Sequence, residues 1–263
     1  MTALRSALIF GVLVGALAGC VSEECSLPRR GDEQTCDSYD GGQLRFVVGE
    51  PLSDISAFCS SPCVDVFAPI AIAGYEDLRK VPLLPKVRIV NGLGINMDAL
   101  KDLRGLEKVD VVRQLSLSGE NGDTSRKTLE GLADEEMEGL AIEQVSGLVS
   151  LEGSPVKRLE AFTAFRSSLQ SLDLSSVQVS SMSVDGNESL RSLTLPSGAM
   201  TYLWIHANPA LSELMWSPGL TVRKTLEVDA NRALSTCLVQ QLVEQTDAGV
   251  PRRELNLNNG PCP

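Results

Sequence analysis

Any nucleophilic or acid–base chemistry in this chain must pass through its single histidine, His206. A Ser-His-Asp or Cys-His mechanism needs an imidazole to take the proton, and there is no second one. His206 lies between Ile205 and Ala207, and no serine stands in a Gly-x-Ser-x-Gly elbow. Carboxylates are abundant, but a glycosidase needs two facing each other across about 5 to 10 Å, and no pair is singled out here. Asp37-Ser38-Tyr39-Asp40-Gly41-Gly42 begins like a calcium loop, yet position 48 is Val where an EF-hand places its bidentate Glu. Turn chemistry accounts for that segment and for Asp185-Gly186-Asn187. Cys59-Ser60-Ser61-Pro62-Cys63 has no second ligand pair at zinc-finger spacing. The residues therefore argue for no catalytic set, no cofactor and no metal. Lys plus Arg (23) against Asp plus Glu (34) leave a net charge of −11. Nucleic acid is excluded as a partner, because phosphate binding needs a basic face.

The first twenty residues carry an address. A basic start at Arg5 leads into the apolar run Ala7 to Ala18, too short for a membrane span, and Leu17-Ala18-Gly19-Cys20 closes it. This resembles the lipobox of bacterial lipoproteins. The resemblance implies a signal peptide over 1–19, a lipidated mature N-terminus at Cys20 and membrane attachment through acyl chains. Val21 follows where the inner-membrane retention signal has Asp, so the resemblance points to the outer membrane. The competing reading is an ordinary secretory signal that leaves Cys20 a plain thiol.

With Cys20 lipidated, Cys25, Cys36, Cys59, Cys63, Cys237 and Cys262 remain, an even number suited to an oxidising compartment. Proximity in sequence favours Cys25 with Cys36, Cys59 with Cys63 and Cys237 with Cys262.

Positioning falls to a repeat. Met182 to Leu195 align with Leu203 to Trp216 at an offset of 21, with every apolar slot and the asparagine matching. Leu226-Glu227-Val228-Asp229-Ala230-Asn231 comes 23 later. Leu148, Leu169, Leu190 and Leu211 keep the same step, while Leu93, Leu115 and Leu140 carry a looser version towards the N-terminus. Ala161-Phe162-Thr163 reads as the weakest copy, with Ala and Thr in slots filled elsewhere by Leu and Ile. The polar stretch 119–127 reads as an enlarged loop. Leu-x-Val turns both apolar side chains to one side, and a strand that short is stable only when stacked. Asn187, Asn208 and Asn231 suit a turn and are expected to form a ladder satisfying backbone groups from coil to coil. The aligned Leu-x-x-Leu-x-Leu is expected to add a second short strand.

The unit Leu-x-Val-x-x-Asn-x-x-Leu-x-x-Leu is similar to the leucine-rich-repeat superfamily, specifically to receptor L-domains. Leu103-Arg104-Gly105-Leu106-Glu107-Lys108-Val109 carries the same likeness. It implies a mainly β, right-handed leucine-rich β-solenoid of about seven coils, with disulfide-bonded caps at both ends. The expected organisation is a signal peptide at 1–19, a tether and N-terminal cap at 20–77, the solenoid at 78–236 and a C-terminal cap at 237–263. The C-terminal cap is read as a short helix over Leu238, Val239, Leu242 and Val243 with a final strand at Leu255 to Asn258.

Alternation turns Trp204 outward, aligned with Ser183 and Glu227. Asp185, His206 and Asp229 fall in the row beside it. A large outward aromatic among carboxylates is a candidate anchor for a protein or glycan partner, and the alternative is packing against Tyr202 or an adjacent loop. The resulting expectation is a non-catalytic, lipid-anchored envelope recognition or adhesion module. A structural envelope spacer and an exported hydrolase are the alternatives.

Overall fold

The computed structural model describes residues 36–50, 61, 63–119, 125–148, 151, 154–246 and 258. These form a mainly β, parallel-stranded solenoid of about eight turns, one more than the repeat count suggests. Its chief sheet starts with β1 (Asp37–Tyr39) and β2 (Leu44–Val47), which pair with opposite ends of β3 (Val64–Ala73). It continues through β4 (Val87–Asn96), β5 (Val111–Ser118), β6 (Glu136–Glu143) and β7 (Arg158–Phe165). Between β7 and β9 (Gln178–Asp185) the chain makes β8 (Ser171–Asp173), the first strand of a second sheet. The last two coils supply β11 (Ala199–His206) and β13 (Thr221–Asp229) to the first sheet, and β10 (Ser192–Thr194) and β12 (Glu213–Met215) to the second. Every pairing is parallel.

Apolar ranks fill the interior because like residues meet rung upon rung. Leu93, Leu115, Leu140, Phe162, Met182, Leu203 and Leu226 are successive partners across the sheet, all buried. Here the sequence expectation slips by one residue. Leu140 pairs with Phe162 and Ile142 with Ala164, whereas Ala161 and Thr163 face outward. A single phenylalanine fills the leucine slot and the small Ala164 the next, and a one-residue slip exchanges the two faces.

The corner after each strand explains the asparagines. Gln144, Arg166, Gly186, Ala207 and Ala230 all take positive φ, from 47° to 67°, two residues beyond the last inward side chain. The residue after each of them then presents its side chain to the solenoid interior. Asn187, Asn208 and Asn231 are fully buried there. The Asn208 side-chain NH2 lies 3.0 Å from the Val184 carbonyl and 2.9 Å from that of His206. Its Oδ1 accepts from the Asn187 backbone N–H at 3.0 Å. Asn231 repeats the pattern, donating to Ile205 and accepting from the Asn208 N–H. The ladder is longer than expected: the Ser167 N–H and hydroxyl donate to Asn187, and Asn258 accepts from the Asn231 N–H at 3.1 Å.

The disulfides correct the proximity pairing. Cys36 is bonded to Cys63, with Cα atoms 4.8 Å apart, so neither Cys25–Cys36 nor Cys59–Cys63 forms. The reason is the sheet: β1 lies beside the start of β3, and Asp37 is in register with Val64, which sets the preceding residues opposite each other. Spatial register outweighs sequence distance. Cys237, near the start of helix α1 (Thr236–Thr246), is also disulfide-bonded. Cys20, Cys25, Cys59 and Cys262 lie outside the described residues, as do the lipobox and most of the expected final strand. Helix α1 buries Val239 and Leu242 against the last coil. Strands β1 to β3, in the segment read as a cap, belong to the same sheet as the body.

Replacing Asn208 with Ala removes donors and an acceptor from a fully buried corner. The expected loss is about 1 to 3 kcal/mol, read as a lower urea midpoint at unchanged slope. A loss near zero would show that the ladder is not stabilising.

Candidate functional site

The close stacking of coils makes the outer face of the first sheet a set of straight rows. Trp204 has Ser183 on one side and Glu227 on the other, and His206 lies between Asp185 and Asp229, as the repeat alignment requires. The six candidate binding residues thus form two adjacent rows of three. Trp204 is half-buried, and its ring stacks on that of Tyr202 with centroids 5.1 Å apart and planes within 5°. The ammonium of Lys224 sits 5.5 Å from the Tyr202 centroid, so cation, phenol and indole form one column. The packing role expected of Tyr202 is therefore present, and the column still stands on the outward face.

His206 Nδ1 is 2.9 Å from Asp185 Oδ1, and both side chains are substantially solvent-exposed. Among the described residues this is the ring's only hydrogen-bond partner, and neither a hydroxyl nor a thiol is bonded to it. The Asp185 carboxylate holds the imidazole in one orientation. Among the described residues no group of three or more His, Cys, Asp or Glu side chains could hold a metal ion.

Two features escape the sequence reading. Tyr202 enters it only as packing, although it shares the outward alternation of Trp204. The row of Trp204 also continues back through Ser183, Thr163, Ala141, Ser116 and Gly94, and that of Tyr202 through Ser181, Ala161, Gly139, Gln114 and Gly92. From Gly92 and Gly94 on β4 to Ala161 and Thr163 on β7, they floor a groove of about 510 Å³ that stops two strands short of Tyr202 and Trp204. The signal lies in Gly92-Leu93-Gly94-Ile95 and Gly139-Leu140-Ala141-Ile142, where the outward slots are small and the inward slots large.

Perturbed carboxyl groups do not lie in this face. The carboxyl of Asp77 is lowered to about 2, chiefly by the hydrogen bond from the Arg79 side chain and then by the Arg79 backbone N–H. Burial opposes a similar lowering at Asp102, where hydrogen bonds from Arg104 prevail. Both are Asp-Leu-Arg turns in successive coils, so their shifts are structural. Asp134 is raised, first by burial and then by nearby Asp110, against the Val112 N–H that donates to it at 2.6 Å.

Comparison of the chain with family models, curated proteins and solved structures finds no match.

The raised Asp134 carboxyl has a definite consequence for stability. A folded-state pKa above the unfolded one means that its contribution is present in acid and lost as pH rises through the folded value. Asp134→Asn removes the buried charge and keeps an oxygen for Val112. Its urea midpoint is expected to exceed wild type at pH 7, with the difference closing towards pH 3. A midpoint below wild type at pH 7 would mean that the charge itself holds the Val112 strand.

Proposed function

We propose that this protein is a non-catalytic, lipid-anchored recognition or adhesion module of a bacterial cell envelope, and that it binds through the outer face of its first sheet. The observation that carries this reading is the aligned outward surface: rows of outward residues, a groove across β3 to β7 and a Tyr202–Trp204 pair two strands beyond it in the same rows. Solvent-facing aromatics on a rigid scaffold are characteristic anchors of interfaces. Export is supported by the lipobox-like Leu17-Ala18-Gly19-Cys20 and agrees with a Cys36–Cys63 disulfide, a bond that persists in oxidising compartments. Lipidation at Cys20 places the solenoid at a membrane surface, and Val21 favours the outer membrane. No catalytic role is assigned to His206, because its exposed Asp185 partnership lacks a nucleophile to activate.

The packing of Trp204 on Tyr202 supports a second reading, a structural spacer whose aromatic column only stiffens the face. The two diverge in the native envelope. On the recognition reading, Trp204→Ala keeps its urea midpoint near wild type but loses cross-links to an envelope or extracellular component. Unchanged cross-linking by a folded variant would favour the spacer.

The address is tested separately. Intact-mass spectrometry of membrane-extracted protein is expected to show a mature N-terminus at Cys20 bearing acyl chains, and Cys20→Ala to release the protein from membranes. An unmodified mature mass would remove the anchor from the proposal.

A further inference from the structure

The groove on the outer face contains glycines that the fold does not require. Gly105 and Gly131 show the contrary case: both have positive φ, and a Cβ on Gly131 would stand 2.3 Å from the Arg104 nitrogen. At Gly92, Gly94 and Gly139 the nearest atoms to an added Cβ are 4.0, 3.7 and 3.9 Å away, which is ordinary contact, and φ lies outside the left-handed region. Side chains would fit at all three. Their absence leaves the strand backbone open to approach from outside.

The ends and sides of the groove indicate what approaches. The groove itself runs from Pro69 and Ala71 on β3 to Ala161 and Thr163 on β7; its rows continue over the small Ser181 and Ser183 to the Tyr202–Trp204 pair on β11, and Phe67, 46% exposed, lies on β3 two residues before Pro69. Six strand steps separate β3 from β11, about 29 Å at the usual spacing, which is the span of roughly nine extended residues. Carboxylates border this length: Glu143 and Asp229 in the row of His206 on one side, Glu160 beside Ala161 on the other, and Glu227 beyond Trp204 in its own row. None of these four is in an ion pair among the described residues. Lys224 over Tyr202 shows that the aromatic column accepts a cation.

We propose that this groove seats an extended, lysine- or arginine-rich segment of a partner polypeptide. The segment's backbone lies over the glycine floor, and its cations reach the unpaired carboxylates and the aromatic column. Charge complementarity selects the occupant, since the hydroxyls of an uncharged glycan can hydrogen-bond to those four carboxylates but leave their negative charge uncompensated. The inference rests on the reading of the outer face as the recognition surface.

The test uses the full chain with Trp216→Phe, which leaves Trp204 as the only indole. Two probes are titrated by indole emission: a synthetic ten-residue Lys-Gly repeat and a neutral glucan hexasaccharide. The Lys-Gly peptide is expected to bind, and its apparent Kd to rise at least about tenfold between low and high salt. Ala141→Phe, which fills the groove from an outward position, abolishes binding while the urea midpoint stays near that of the parent. E143Q, E160Q, E227Q and D229N together weaken it about tenfold or more. The charge-matched set D173N, E188Q, E213Q and E244Q, placed elsewhere, does not. Equal loss in both sets, or binding indifferent to Ala141→Phe, overturns the proposal. Glucan binding blocked by Ala141→Phe, with no peptide binding, overturns the basic occupant but leaves the face as the recognition surface. If neither probe responds and Trp204→Ala also keeps its envelope cross-links, the surface reading falls as well.

Discussion

No coil of this protein can satisfy itself. A strand of two inward residues has no second apolar layer of its own, and a corner at positive φ leaves buried carbonyls and N–H groups that its own coil satisfies only in part. Both needs are met by stacking at constant register, so the same geometry that buries Leu203 beneath its neighbours brings Asn208 to Asn231. The asparagine is suited to the corner because its amide is donor and acceptor at once. Its nitrogen serves carbonyls of its own and the preceding coil, while its oxygen receives the preceding coil's N–H. A serine does half of this, and Ser167 stands at the ladder's beginning, where it donates to Asn187.

Register imposed from within has an external consequence. The inward slots allow little choice, since a one-residue slip would bury the polar set, whereas the outward slots are free of the core and can vary. That freedom is where the coils differ most: glycine and alanine across the middle of the sheet, Tyr202 and Trp204 in a late coil, carboxylates at the margins. The scaffold fixes where each outward side chain stands without fixing what it is. This separation lets a surface be built on a solenoid without disturbing its stability.

Legibility from the residues obeys the same division. The repeat, the β-solenoid class, the neighbours of Trp204 and the ladder at Asn187, Asn208 and Asn231 are legible because each depends on the periodic core. The Cys36–Cys63 bridge is not, because the partnership joins adjacent rungs and sequence distance carries no information about rungs. The register of the β7 coil is misread because Phe162 and Ala164 share the work of two leucines unequally, and a search for like residues in like slots overlooks a large and a small residue together. The groove escapes because its signal is the smallness of side chains. The expected lipidation and location rest on the lipobox resemblance at Leu17 to Val21, outside the described solenoid, and its geometry does not bear on them.

The two halves of the solenoid are held differently, and the outward face records it. In the coil before Ser167 the ladder slot is Val145, fully buried, so the amide chain cannot run further towards the N-terminus. Earlier coils satisfy carbonyls with buried lysines instead: Lys127 Nζ reaches the Leu100 carbonyl at 3.0 Å and Lys86 Nζ that of Ser61 at 3.1 Å. A flexible four-carbon stem specifies a corner less tightly than an amide whose both ends are bonded. The aromatic column sits on β11, between the Asn187 and Asn231 corners, where the interlocked ladder holds the backbone on both sides. The glycine floor lies mainly over the lysine-satisfied coils. The outward face therefore spans two ways of closing a corner, with its aromatic end over the interlocked amides and its glycine floor over the coils that use lysines.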